Sequence, residues 1–263
     1  MREIKTRGKI VTVPTDVSEL RPEQYEYYCF LSFAMKSGTV TPDYAKIRWY
    51  SFLLGMRKAD YTILRGEHVA ELTAQLDAVD GFFKTVLEEG RERVELDFDT
   101  PVNLLPEYRG YQGPGDMLEG VTFGDFVECF TLMEMVSAAD ERDALDFYAR
   151  IARLLYHVPE EDKVPDLLLF HAPRLVVATW NIINRGPVEI NGRSIDFRII
   201  FRGSGKSKAD DKTGWTGITF EVAAAGLFGD VEKVKATDFW SVLIYLYKCK
   251  FEYLEEMRKQ PNK

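Results

Sequence analysis

Very few of the residues on which catalytic and metal chemistry is built occur in this chain. Of its 263 residues three are cysteine and three are histidine. Cys29, Cys129 and Cys249 stand 100 and 120 positions apart with no C-x-x-C pair, which excludes a secreted disulfide framework and a cysteine-rich zinc site. Each lies in a helix-like apolar context and reads as a reduced, buried small side chain. His68, His157 and His171 lack the one-turn spacing that puts two ligands on one helix face, so they read as surface or boundary residues and no metal is expected. No G-x-S-x-G, H-E-x-x-H or suggestively spaced Cys–His pair is present, so the common hydrolase constellations are excluded. The acidic pairs Glu88-Glu89 and Glu160-Glu161 fall beside helix ends, where solvation accounts for them. The longest apolar runs, such as VLIYLY, are too short to cross a bilayer. No apolar segment follows the basic start, so a cytoplasmic protein without a cleaved leader is expected.

What is present suits a folded protein. Apolar residues make up 46% of the chain and aromatic residues 13%, enough for a sizeable core. The net charge of −8 is unevenly spread: residues 86–146 hold sixteen Asp and Glu against four Arg, a net of −12, which leaves about +4 for the rest. An acidic middle argues against a continuous duplex-binding surface.

Along the chain, EIKT and KIVTV flank a turn at Arg7-Gly8 and predict a hairpin that Pro14 stops. A helix follows, with Ser18 as candidate cap and Pro22 in its first turn, ending at Gly38. Thr41, Pro42 and Asp43 open a second helix. Val69, Leu72, Leu76, Val79, Phe83 and Val86 are spaced 3-4-3-4-3 and predict a helix over 66–89, with RVELDF alternating as a strand after it. A Pro/Gly-rich loop leads to a helical pair, TFGDFVECFTLMEMVSAAD with Thr122 as cap and DERDALDFYARIARLLYHV. DLLLFHAPRLVVATWNIINRG predicts a helix kinked or broken at Pro173. PVEI and RSIDFRIIF around Asn191-Gly192 predict a second hairpin, and a last helix spans roughly 237–259. The fold class expected is mainly α: a helical, bundle-like globular unit with two small β-hairpins. One unit over 1–263 is expected, with 1–98 and 119–263 as candidate subdomains joined by the loop 99–118.

The stretch FRIIFRGSGKSKADDKTGWTG, residues 197–217, resembles a phosphate-binding loop only superficially. Such a loop needs a glycine five residues before Gly205, and that position is Ile200. It must also run straight into a helix, whereas KADDKTGWTG is polar and broken by Gly214 and Gly217. No cofactor is therefore expected. The loop is basic: Arg198, Arg202, Lys206, Lys208 and Lys212 outnumber Asp196, Asp210 and Asp211. With Trp215 at its end, the surface of Arg202, Lys206, Lys208, Lys212 and Trp215 is the candidate partner-binding site, suited to an acidic protein segment. Phe228, between Gly226 and Gly229, is expected to anchor in the core.

Three stretches together resemble proteins from phages and prophages of Bacteroidetes-type bacteria, found among tail genes and described as tail-assembly-chaperone-like. They are the opening hairpin leading to VPTDVSELRPEQY, with Pro14, Glu19 and Leu20; GPGDMLEGVTFGDF with ARLLYHVP; and EVAAAGLFGDVEKVKATDFWSVLIYLYKCKFEYLE. They cover under half the chain. The resemblance implies a non-catalytic protein of the bacterial host's cytoplasm whose partners are phage structural or tail proteins. Two alternatives stay open: a nucleic-acid-associated phage protein using the basic 198–212 loop, and a nucleotide-binding enzyme using 203–207.

Overall fold

The computed structural model describes residues 1–6, 9–56, 75–88, 90–190, 192–201 and 213–259. These residues are mainly helical, with four two-stranded antiparallel sheets, as the helical stripes predict. The chain divides into two compact units, Met1–Thr100 and Pro101–Lys263. The division falls inside the loop 99–118, and most of that loop belongs to the second unit.

In the first unit β1 (Arg2–Thr6) pairs with β2 (Lys9–Val13), and the turn predicted at Arg7-Gly8 lies outside the described residues. Ser18 does not cap the first helix. Asp16 instead accepts from the Ser18 N–H and caps a short 3-10 turn, and α1 (Pro22–Lys36) starts at proline, whose missing N–H costs nothing there. Thr41 caps α2 (Pro42–Leu53) through the Tyr44 N–H, as its sequence predicts.

The helix predicted over 66–89 is corrected where the structure describes it. Leu76–Phe82 form a 3-10 helix, and β3 (Phe83–Glu88) pairs with β4 (Arg91–Leu96). Gly90 takes φ +78°, a left-handed turn conformation that lets the chain reverse where a helix would have to continue. Val79 and Phe82 are fully buried, as are Tyr28 and Trp49. The Tyr28 ring meets those of Trp49, Phe82 and Phe98 at 5.1, 5.8 and 4.9 Å. Its hydroxyl lies 2.6 Å from the Phe82 carbonyl and 2.7 Å from that of Asp97, the residues flanking the β3–β4 hairpin.

In the second unit Glu107–Tyr108 and Tyr111–Gln112 form the small hairpin β5–β6. Thr122 and Asp140 cap α3 (Phe123–Val136) and α4 (Glu141–Tyr156). The next helix, α5 (Asp166–Arg185), runs unbroken through the buried Pro173, which forgoes only the bond to the carbonyl four residues earlier. In the second predicted hairpin β7 (Val188–Ile190) pairs with β8 (Arg193–Ile195), but RSIDFRIIF is strand only at its start. The Asp196 carboxylate accepts from the Arg198 backbone and side chain, ending the strand and opening the turn α6 (Arg198–Phe201). Then follow α7 (Gly214–Ala224), α8 (Val231–Ala236) and α9 (Phe239–Lys259).

Candidate protein-contact site

Of the predicted contact residues, Arg202, Lys206, Lys208 and Lys212 lie outside the described residues, and Trp215 opens α7. The Trp215 ring is half-buried in an aromatic cluster. Its centroid lies 5.4 Å from Phe126, 5.8 Å from Trp180 and 6.0 Å from each of Phe123, Phe130 and Phe201, all edge-on. Five edge-to-face partners pin this ring, each such pair contributing about 0.5–1.5 kcal/mol. Removing it therefore disturbs packing as well as any contact it makes outside the chain. Phe228, expected in the core, is half-buried and meets Tyr245 edge-on at 5.5 Å. Further along, Phe220 on α7 is 58% exposed and Leu227, just after the helix, 65%.

The same unit contains a buried polar junction. Asn103 Oδ1 accepts from the Leu105 N–H at 2.9 Å and lies 2.9 Å from His171 Nε2 and 3.2 Å from the Tyr156 hydroxyl. Its Nδ2 donates to the Pro114 carbonyl at 2.7 Å, and its backbone N–H donates to Asp116 at 2.9 Å. Because an amide oxygen only accepts, the proton of neutral His171 sits on Nε2. Burial pushes the His171 pKa down to about 3, with a smaller push from Arg174. The Tyr156 hydroxyl also donates to the Leu105 carbonyl at 2.9 Å, and burial raises its pKa. His171 was expected at the surface or a boundary. It is buried because this amide supplies the partner an imidazole needs away from water.

The loop that closes this junction is GPGDMLEG. A Cβ on Gly113 would lie 2.4 Å from the Tyr156 ring, so only glycine allows that approach. Met117 and Leu118 both adopt the left-handed conformation, φ 54° and 62°, at a cost of about 1–2 kcal/mol each. Three contacts hold them. The Met117 N–H donates to Pro101, its carbonyl accepts from Trp240 Nε1 at 3.0 Å, and the Leu118 side chain is fully buried. Beyond the loop, Thr122 and Asp238 form an isolated antiparallel bridge between the starts of α3 and α9. Gly124 faces Lys235 there, where a Cβ would lie 3.0 Å from the lysine side chain. The stretches GPGDMLEGVTFGDF and EVAAAGLFGDVEKVKATDFW thus interlock in one structural junction.

Chemistry elsewhere is muted. Cys129 is buried, and burial, with Asp125 and Glu128 nearby, raises its pKa, the opposite of a reactive thiol. Cys29 is buried as expected, whereas Cys249 is exposed on α9. Among the described residues no group of three or more His, Cys, Asp or Glu side chains is placed to hold a metal ion, and no helix is long and apolar enough to cross a membrane. A cleft of about 380 Å³ in the first unit passes Lys36, Glu92, Arg93 and Glu95, but Arg93 is already paired with Glu88 and Glu95. Comparison of the chain with family models, with curated proteins and with solved structures finds no match in any of the three.

Proposed function

We propose that this chain is a non-catalytic phage or prophage protein of the bacterial cytoplasm that acts through protein–protein contacts, as a chaperone-like factor in tail assembly. The setting rests on the resemblance of the three stretches. The mode of action rests on the basic residues that precede Trp215 in the sequence and on two large apolar side chains that follow it, Phe220 and Leu227, which stand exposed. Large exposed apolar groups bordered by charge suit a protein partner with an acidic, apolar segment. The buried polar side chains of His171, Tyr156 and Asn103 are bonded to one another.

The test is co-expression with the tape-measure chain of the same phage. The expected result is a larger soluble fraction of that chain and a co-purifying complex, weakened by the Lys206/Lys208/Lys212→Ala triple variant. Trp215→Phe, which preserves an aromatic ring in the cluster, serves as the folding control. No gain in solubility, together with retention of single- or double-stranded DNA by the basic loop, would favour the nucleic-acid alternative.

A further inference from the structure

The last helix changes character along its length. Phe239, Val242 and Leu243 are buried, but none of residues 244–259 is. Ile244, Tyr247, Phe251, Leu254 and Arg258 recur at spacings of 3, 4, 3 and 4, the seam of a paired helix. Ile244 is 36% exposed and Phe251 46%, while the half-buried Tyr247 ring stacks with Phe251 at 6.0 Å and also meets the buried Phe197 of its own chain edge-on at 6.0 Å. Lys248 and Glu255 both flank this seam on the same side, one turn beyond Ile244 and Phe251 respectively.

That charge placement selects a partner. When a second α9 is laid antiparallel with Phe251 opposite Leu254, Lys248 of each copy lies on the same side as Glu255 of the other and two residues, about 3 Å, from it along the axis, within reach of these long side chains. Two ion pairs form, and Arg258 meets the Tyr247 ring. A parallel pairing would set Arg258 against Arg258 at the seam. Within one chain these charges make only exposed contacts, Lys248 with Glu252 at 3.8 Å and Glu255 with Arg258 at 2.9 Å, and such pairs are weak enough to exchange.

We propose that a second copy of this chain docks antiparallel on the 244–258 face of α9, forming a homodimer. The seam spans about two heptads, so the dimer is a weak one, with a dissociation constant in the micromolar range. This holds or fails independently of the role in tail assembly.

Sedimentation velocity of the full chain over a concentration series tests it. A monomer–dimer equilibrium is expected, abolished by Phe251→Glu at an exposed position. Lys248→Glu alone and Glu255→Lys alone each place like charges across both symmetry-related contacts and should weaken dimerisation about tenfold. An equimolar mixture of the two variants restores opposite charges at both contacts and should recover the dimer. A monomer at every concentration, a dimer indifferent to Phe251→Glu, or a mixture no tighter than its components would overturn the proposal. Circular dichroism of each variant separates lost association from lost fold.

Discussion

In the first unit a single phenol, Tyr28, reaches the carbonyls that flank the β3–β4 hairpin, whereas in the second an amide, Asn103, gathers a loop, a tyrosine and a histidine around itself. Both fasten extended chain to helices. The phenol does so at the edge of an aromatic core made by Trp49, Phe82 and Phe98 and adds one donor to packing that already stands. The amide stands in place of apolar packing, because its partners are polar groups that would otherwise be buried without bonds. A fold can therefore lose the first fastening cheaply and the second only at high cost.

Asn103→Ala should give the largest effect. It leaves the Leu105 N–H, the Pro114 carbonyl and His171 Nε2 without their partner, at a combined cost of about 3–5 kcal/mol. Urea denaturation of the second unit measures this, and a loss no larger than that of Tyr28→Phe would erase the contrast. Gly113→Ala drives a methyl into the Tyr156 ring and should cost up to about 3 kcal/mol in the same assay. Double substitution with Tyr156→Leu should recover part of that loss, since the clash is with the ring.

The second unit should also be the acid-sensitive one through His171. Unfolded, this histidine takes up a proton near its ordinary value of 6.5, whereas folded it does so only near 3. Between those values the unfolded state holds more protons, so stability falls as pH falls and is full only above about 6.5. About 2 kcal/mol should disappear between pH 7 and pH 5, and His171→Gln should flatten that slope. A slope unchanged in His171→Gln would assign the acid sensitivity to other groups. Tyr28→Phe should be the mildest change, about 1 kcal/mol by thermal or urea unfolding of the first unit, because packing of the ring is retained.

The sequence is legible where local rules decide. Thr41-Pro42 and Thr122 mark helix starts by supplying a cap, and α3, α4 and α9 follow from their apolar spacing. It misleads at 76–88, where Leu76, Val79, Phe83 and Val86 keep helical spacing but Gly90 reverses the chain onto Arg91–Leu96. The four residues 83–86 are equally compatible with either state, and the pairing partner decides. Asn103 is not legible at all. Its side-chain partners lie 2, 11, 53 and 68 positions away, so no window of sequence holds the pattern. The GPGD glycine was visible as a motif, but the tyrosine ring it accommodates belongs to a helix forty-three positions on.

Whether this is a protein-binding factor or a nucleotide-using one is decided most directly by ligand-dependent melting of the purified full chain. Aliquots receive a tape-measure segment, the partner that the proposed role requires, or millimolar ATP or GTP with Mg²⁺. A ligand present at about 100 times its dissociation constant adds about 2.7 kcal/mol, a shift easily seen. The account predicts a raised melting temperature with the protein segment, reduced in the Lys206/Lys208/Lys212→Ala variant, and none with nucleotide. A shift with ATP or GTP that disappears in Lys206→Ala would contradict it.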